Sequence, residues 1–393
     1  MKRFHIIAAR ARLGMRWESF KVNQGLPDKV SALRAFSSRA GARTISLSLG
    51  KPFEDMPKSL RELAADILQN PQLPMDYSEN AGFSGVRALL ENHYELPSGS
   101  TLLMHGAQEA IFAVLLTLLN PGDEVLVPNP GFLAYAPMVR SLHGKPVEYR
   151  LAKAGAGFAY ELERIRAKVT KKTKAIFLNA PANPTGSVVS AHFVRELAAE
   201  FPKLKIISDE VYGELSYEEP YIPFARYAPN IVSANAFSKS HALTGWRIGW
   251  LGCTDRAFVA RILVAHQYIA TCANAPAQHL VGALLAQAPL FAAIRDHYAA
   301  AYLRRRDTIF RALGAAAEKL DRPAGGFYLF LPIPNRFSSS LEFGETLLAE
   351  KDVLVTPGEF FGSLGKRHVR ISYATSLENC RKAGEAIRSY YEG

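Results

Sequence analysis

The chain has 393 residues, 48% hydrophobic and 21% charged, which excludes a disordered segment and calls for two subdomains or one large α/β unit. Lysine plus arginine total 47 against 36 aspartate plus glutamate, a net charge of +11 that fits anionic cofactors and carboxylate substrates as well as nucleic acid. The absence of a Lys/Arg run with interleaved aromatics argues against nucleic acid. So do the three scattered cysteines (Cys253, Cys272 and Cys380) against a disulfide framework or zinc site, and they favour a reducing, cytoplasmic compartment. No apolar run reaches the ~18 residues of a transmembrane helix, so no membrane partner is expected.

Residues 1–16 form a basic arm whose apolar patch at 6–9 is too short for a signal peptide; it reads as a solvated or interface-covering segment. One short helix is predicted near 29–40, then an alternating strand from Ile45 that ends in a turn at Gly50. Apolar spacing predicts helices over 58–70 and 83–94, separated by the loop Tyr77-Ser78-Glu79-Asn80-Ala81-Gly82-Phe83. Strand–helix alternation follows. A strand at 102–105 and a turn at Gly106-Ala107-Gln108 precede a helix over 109–119, which Asn120-Pro121-Gly122-Asp123 stops. The pattern continues through 124–127, 146–151, 162–168, 175–178, 192–201, 205–208, 231–234 and 247–252, and it predicts a parallel sheet covered on both faces. Such sheets bind ligands at the carboxyl ends of their strands. From about Phe258 the helices lengthen, including 290–319, and short strands follow at 326–331, 353–356 and 368–372. This divides the chain into a large domain over 58–289 and a smaller α+β domain over 290–393, which the segment 1–57 joins.

Several strand ends carry residues suited to chemistry. Lys239 sits in Asn235-Ala236-Phe237-Ser238-Lys239-Ser240-His241-Ala242-Leu243-Thr244-Gly245-Trp246-Arg247. An amine becomes a nucleophile near neutrality when burial or cations lower its pKa, and Phe237, Trp246 and Arg247 are the candidate causes. Gly106-Ala107-Gln108 opens a helix, where backbone N–H groups favour an anion. Phe132, just past Pro128-Asn129-Pro130-Gly131, offers a ring for stacking on a flat heterocycle. In Asn179-Ala180-Pro181-Ala182-Asn183-Pro184-Thr185-Gly186, proline holds Asn183 extended. Ile206-Ile207-Ser208-Asp209-Glu210-Val211-Tyr212 is an apolar strand ending in an acid, and burying Asp209 requires a cationic partner. Arg370, in His368-Val369-Arg370-Ile371-Ser372, has the fork that matches a carboxylate. Taken singly, each also has an ordinary reading as a turn, a core ring or an edge arginine.

The run around Lys239 resembles the cofactor-lysine signature of class I/II aminotransferases, the fold-type-I enzymes that use pyridoxal 5′-phosphate (PLP). Asn183-Pro184-Thr185-Gly186 and Asp209-Glu210-Val211-Tyr212 resemble further motifs of that family, and the resemblance runs in order from about Pro27 to the C-terminus. It implies a mainly parallel sheet covered by helices in a large domain, with a smaller α+β domain. It also implies that Lys239 forms the Schiff base with PLP and that Asp209 pairs with the pyridine nitrogen. Asn183 and Tyr212 would donate to the ring oxygen, and Phe132 would stack on the ring. Gly106, Ala107, Gln108, Ser238 and Arg247 would surround the phosphate. Gly50, Asn183 and Arg370 would receive the substrate carboxylate, with Lys239, Asp209 and Tyr212 as the catalytic set. Tyr77 would cross a two-fold interface to the partner's phosphate, implying a homodimer with shared sites. One departure is Ala236, which stands where many members carry Gly or Ser. The implied reaction moves an amino group from an L-amino acid to a 2-oxo acid by a ping-pong mechanism. β-Elimination, decarboxylation, racemisation and cyclisation would use the same residues. The donor stays open: no second arginine is tied by motif to a side-chain carboxylate. Residues 51–53, Phe83 and Asn274 are candidate pocket walls, whereas Pro323-Ala324-Gly325-Gly326-Phe327-Tyr328 and Thr356-Pro357-Gly358 are assigned structural roles.

Overall fold

A computed structural model describes Gly25, Pro27 and residues 31–392. The basic arm and the start of the helix predicted near 29–40 lie outside the described residues. Helix α1 (Ala32–Ser37), capped by Ser31, leads to β1 (Ile45–Ser46), α2 (Lys58–Gln69) and α3 (Ser84–His93). The alternating part then runs β2 (Thr101–Met104), α4 (Ala107–Leu118), β3 (Glu124–Asn129), α5 (Tyr135–Ser141) and β4 (Lys145–Arg150). A small hairpin of β5 (Ala152–Ala154) and β6 (Gly157–Ala159) precedes α6 (Leu162–Arg166), β7 (Thr173–Asn179), α7 (Ala191–Glu200), β8 (Lys205–Asp209), β9 (Ile231–Ala236) and β10 (Gly249–Gly252). Long helices α8 (Arg256–Ala270), α9 (Ala275–Ala286) and α10 (Ala288–Leu313) follow, then β11 (Tyr328–Pro332), α11 (Ser340–Lys351), β12 (Val353–Leu354), β13 (Thr356–Pro357), β14 (His368–Ser372) and α12 (Leu377–Arg388). Side-chain caps from Ser190, Asp255, Asn274, Ser339 and Ser376 fix the starts of α7, α8, α9, α11 and α12 by accepting otherwise unpaired backbone N–H groups.

Seven strands form one sheet in the order β2-β10-β9-β8-β7-β3-β4, and β3 and β9 are buried along their whole length, as in a sheet covered on both faces. Its neighbours are parallel except around β10, which is antiparallel to both β2 and β9. The alternation alone predicts a parallel β10. A parallel return needs a crossover, usually a helix, but the segment between Ala236 and Gly249 contains only turns, so the chain doubles straight back. That hairpin-like return keeps the Lys239 loop at the carboxyl end of β9. The β7–β8 register sets Asn179 beside Asp209, so the polar residues that end these two strands share one edge.

Three further boundaries differ from the sequence pattern. The strand from Ile45 pairs for only two residues, with Val353 and Leu354. Ala107 and Gln108 belong to the first turn of α4 rather than to the turn before it. Helix α10 stops at Leu313, where Gly314 takes φ 53°, and the chain continues as a 3₁₀ segment.

Leu126, Ile176, Leu178 and Ile206 fill one core region, and Val125, Phe177, Ile207 and Val232 fill another. Each list alternates along its strands, which is how one sheet supplies two faces. A third region joins α2, α3, α9, α10 and α12 to the antiparallel sheet β11-β14-β13, where Arg370 faces Phe330 and Thr356 across its two neighbours. Among the described residues no single helix is long and apolar enough to cross a membrane.

Candidate active site

A cavity of about 1640 Å³ opens at the carboxyl ends of the parallel strands, between them and the antiparallel sheet. Gly50, Gly106, Ala107, Gln108, Phe132 and Asn183 line it, as do Asp209, Tyr212, Ser238, Lys239, Arg247 and Arg370. Tyr77 does not: it is 82% exposed and lies outside the cavity of its own chain.

Lys239 donates from Nζ to the Gly50 carbonyl at 2.7 Å. Burial first, then the Arg247 and Arg370 cations, lower its pKa to about 8, against the opposing pull of Asp209. The flanking rings expected to bury it do not line the cavity. Phe237 belongs to the core, and Trp246 is only partly buried, its carbonyl accepting from Asn274 Nδ2 at 3.0 Å.

Asp209 ends β8 with Oδ2 accepting from the Tyr135 hydroxyl at 2.7 Å, and its backbone carbonyl accepts from Asn179 Nδ2 at 2.8 Å. Burial raises its pKa, while Tyr135, the Val211 N–H and the charge of Lys239 pull it down. No Lys, Arg or His among the described residues forms an ion pair with Asp209. Its carboxylate is therefore buried without the counter-cation such a group requires. Tyr135 stacks on Phe177 with centroids 4.2 Å apart, and burial beside Asp209 keeps its hydroxyl protonated and donating. Sequence reasoning missed Tyr135; its one signal was its place three residues past Phe132, against which it packs edge-on at 5.5 Å.

Arg370 is 2% exposed. Its Nη1 donates to Asn183 Oδ1 at 2.9 Å, and Nη2 donates to the Ser48 carbonyl and, at 3.4 Å, to Thr356 Oγ1. Nε is buried with no partner among the described residues. The guanidinium lies 4.5 Å from the centroid of the Tyr328 ring and 4.8 Å from that of Phe361. Burial lowers its pKa, yet an arginine stays charged. Asn183 is positioned by its own N–H, which donates to Asn179 Oδ1 at 2.7 Å.

Tyr212 and Tyr328 share a hydroxyl–hydroxyl hydrogen bond of 2.8 Å. Tyr328 thus lines the cavity rather than serving only the turn it follows, and it explains Gly50. A Cβ at that position would stand 1.7 Å from the Tyr328 hydroxyl oxygen. Residues 51–53, Phe83 and Asn274 are not pocket walls. Phe83 stacks on His279, and Asn274 caps α9.

At the other end, Gly106 takes φ 92° as it opens α4. A Cβ there would lie 3.1 Å from Arg247 Nη2, which donates to the His105 carbonyl at 3.2 Å while Nη1 donates to Thr244 O at 3.1 Å. The helix N-terminus, the guanidinium and Ser238 line the same cavity, and an N-terminus with a cation beside it suits an anion. Glu109, in the first turn of α4, turns its carboxylate to His105 and His266. Burial pushes this carboxyl up, but hydrogen bonds from His105 and His266 hold it at about 2, with His266 Nδ1 at 2.7 Å.

Comparison with known proteins decides the family. The sequence pattern described as "Aminotransferase class I and II" matches residues 44–387. The chain belongs to the class I and II aminotransferases. It is 33% identical over 377 residues to a probable aspartate aminotransferase of Methanocaldococcus jannaschii, covering 93% of this chain and 98% of the relative. The aspartate aminotransferase from Thermus thermophilus with maleate superposes with a TM-score of 0.84 at 31% identity, over 92% of this chain and 97% of that one. The aromatic aminotransferase from Pyrococcus horikoshii gives 0.82 at 30% identity, over 92% and 99%.

Aminotransferases of this family depend on PLP, and this aminotransferase has the residues to take it. Asp209 has no ion-pair partner among the described residues, which suits a cationic ring nitrogen. The start of α4 at Gly106 with Arg247 suits an anionic group, and Lys239 has an amine of lowered pKa.

Proposed function

We propose that Lys239 holds PLP through its amine, with Asp209 beneath the pyridine nitrogen, Phe132 on the ring and Asn183 and Tyr212 on the ring oxygen. Gly106, Ala107, Gln108, Ser238 and Arg247 hold the phosphate, and Arg370, Asn183 and Gly50 receive the substrate α-carboxylate. The observation that carries this reading is one cavity shared by a lysine of lowered pKa, a buried aspartate without a cation and a buried arginine with an unpartnered Nε.

Bound PLP supplies an aldehyde for amines and a ring that absorbs the electron pair left when a Cα proton departs. This chain's residues do the rest. Arg370 binds the α-carboxylate and so turns the Cα–H bond toward Lys239. Lys239 Nζ, free of its own attachment once substrate is bound, accepts the Cα proton and later returns one, acting as base and then acid. Asp209, whose burial-raised pKa the Tyr135 hydroxyl pulls back down, stabilises positive charge at the ring nitrogen. Tyr328 holds the Tyr212 hydroxyl in place and walls the Arg370 guanidinium from water. An amino acid leaves as its 2-oxo acid, and a second 2-oxo acid takes up the amino group.

The large domain over 58–289 carries the cofactor residues in this reading, and 290–393 with 1–57 forms the smaller one. We further assign a homodimer in which Tyr77 completes the partner's phosphate site. The exposure of Met75 (42%), Tyr77 (82%) and Tyr268 (83%) supports it, and the hydrogen bond from Asn80 to the Thr271 carbonyl ties the Tyr77 loop to the end of α8. Three buried free cysteines are consistent with a reducing cytoplasm.

The test is an absorption spectrum of purified protein with PLP. Wild type shows a visible cofactor band that bleaches on adding amino acids without an oxo acid, and Lys239→Ala has no such band. A band of wild-type position and bleaching in Lys239→Ala would sink the assignment.

A further inference from the structure

The Glu109 carboxylate stands in the first turn of α4, at the helix end that takes the cofactor phosphate in the reading above, where a second negative charge is unwelcome. A glutamate at the third helical position ordinarily serves its own helix, reaching back to the N–H of the capping residue. Glu109 passes that residue, Gly106, and accepts instead from the His105 N–H at 2.5 Å, so the Gly106 N–H is not spent on the cap. His105 Nδ1 lies 3.1 Å from the same oxygen, and His266 Nδ1, from α8, lies 2.7 Å from the other. A carboxylate can only accept, so both ring nitrogens that face it carry hydrogen. The Glu109 side chain is 10% exposed, and His266 is fully buried beside it.

The residue that Glu109 holds by its N–H also holds Arg247. The His105 carbonyl accepts from Arg247 Nη2 at 3.2 Å, and the Thr244 carbonyl accepts from Nη1 at 3.1 Å. Arg247 is otherwise exposed and pairs with no carboxylate among the described residues, so these two carbonyls are what hold its guanidinium. Its backbone has φ 50°, in the left-handed region where a residue other than glycine is strained, so its neighbours rather than its own preference set its conformation. A long side chain has many rotamers, and keeping it in one costs conformational entropy. The direction of the His105 carbonyl selects which one is kept. Glu109 fixes that residue from its N–H side, and His266, 157 positions away in sequence, fixes Glu109.

We propose that Glu109, clamped by His266, is a positioning residue for the cofactor: it fixes His105 and thereby aims the Arg247 guanidinium at the phosphate. This inference rests on the assignment of Arg247 to the phosphate. The same N–H donors that clamp the carboxylate also offset the repulsion it would exert on an anion at that helix end.

The experiment is calorimetric titration of the full-length apoenzyme with PLP and with pyridoxal, which differ by the phosphate alone. Wild type should prefer PLP. Glu109→Ala should lower that preference about 10- to 100-fold, the range of a hydrogen bond to a charged group, with pyridoxal bound as before. Glu109→Gln, which keeps an acceptor for the His105 N–H, should restore most of it. A glutamate that served only its helix would weaken both ligands alike and leave their ratio in place, which overturns the proposal. The double variant carries the sharper test: in an Arg247→Met background Glu109→Ala should cost no further preference, because its effect passes through Arg247, and additive losses overturn the proposal. Should Glu109→Ala fail to fold, His266→Leu leaves the Glu109–His105 bonds in place and should lower the same ratio several-fold; an unchanged ratio there is equally fatal. Arg247→Met alone separates the underlying reading: it should lower the preference at least as far as Glu109→Ala, and a preference of wild-type size would overturn the phosphate assignment itself.

Discussion

Replacing Tyr135 by Phe tests whether its hydroxyl holds down the pKa of the buried Asp209 carboxyl. The substitution deletes one hydroxyl and leaves the ring stacked on Phe177 at 4.2 Å, so packing is nearly conserved. What is lost is the 2.7 Å hydrogen bond to Asp209 Oδ2, the strongest influence opposing the effect of burial on that carboxyl. A hydrogen bond to a charged group is worth about 1.5–3 kcal/mol. At a given pH, the carboxylate-to-acid ratio of Asp209 should therefore fall by about 10- to 100-fold, at about 1.4 kcal/mol per factor of ten. The sign is definite: burial already raises this pKa, and the variant raises it further. The acid limb of kcat/KM for the first half-reaction should move toward neutral pH, with activity approaching wild type on the alkaline side. Stopped-flow bleaching of the cofactor band by an amino acid from pH 5 to 9 measures it, and thermal unfolding should shift little. A pH profile superimposable on wild type would refute the claim that Tyr135 sets the charge of Asp209.

The pKa of about 8 for Lys239 predicts that PLP capture by the apoenzyme speeds up about tenfold per pH unit below 8 and levels off above it, since the neutral amine is the nucleophile; a capture rate flat from pH 6 to 9 would contradict this. Gly50→Ala places a Cβ 1.7 Å from the Tyr328 hydroxyl, so it should cost about 1–3 kcal/mol and lose activity. Tyr328→Phe in the same chain should recover part of that stability, because the next contact is Cζ at 2.8 Å; strictly additive unfolding free energies would rule the clash out. Glu210 is buried among the Tyr221 and Ser233 hydroxyls and the Phe224 N–H, and burial raises its pKa from 4.5 to about 7. The folded chain then keeps a proton that the unfolded chain releases between those values, so stability is fully present below pH 4.5 and declines as pH rises toward 7, by a few kcal/mol. Urea unfolding at pH 5 and 8 should show this decline in wild type and not in Glu210→Gln, and equal slopes in the two would exclude Glu210 as its source.

The legible part of this chain is the part written in local chemistry. Asp209 stands out because an acid at the end of an apolar strand is costly unless something pairs with it. Lys239, Asn183 and Gly106 are instead singled out by the resemblance of their short runs to family motifs, and the structure brings all four to one cavity. The direction of β10 could not be read, since strand composition carries no sign of orientation, and the answer lay in the lack of a helix between Ala236 and Gly249. Tyr135 and Tyr328 were illegible for a different reason. Each acts through one hydroxyl on a residue far away in sequence, 74 positions for Tyr135–Asp209 and 116 for Tyr212–Tyr328, so no window of sequence contains the pair. Residues that hold a shared cofactor must satisfy fixed chemistry and leave motifs.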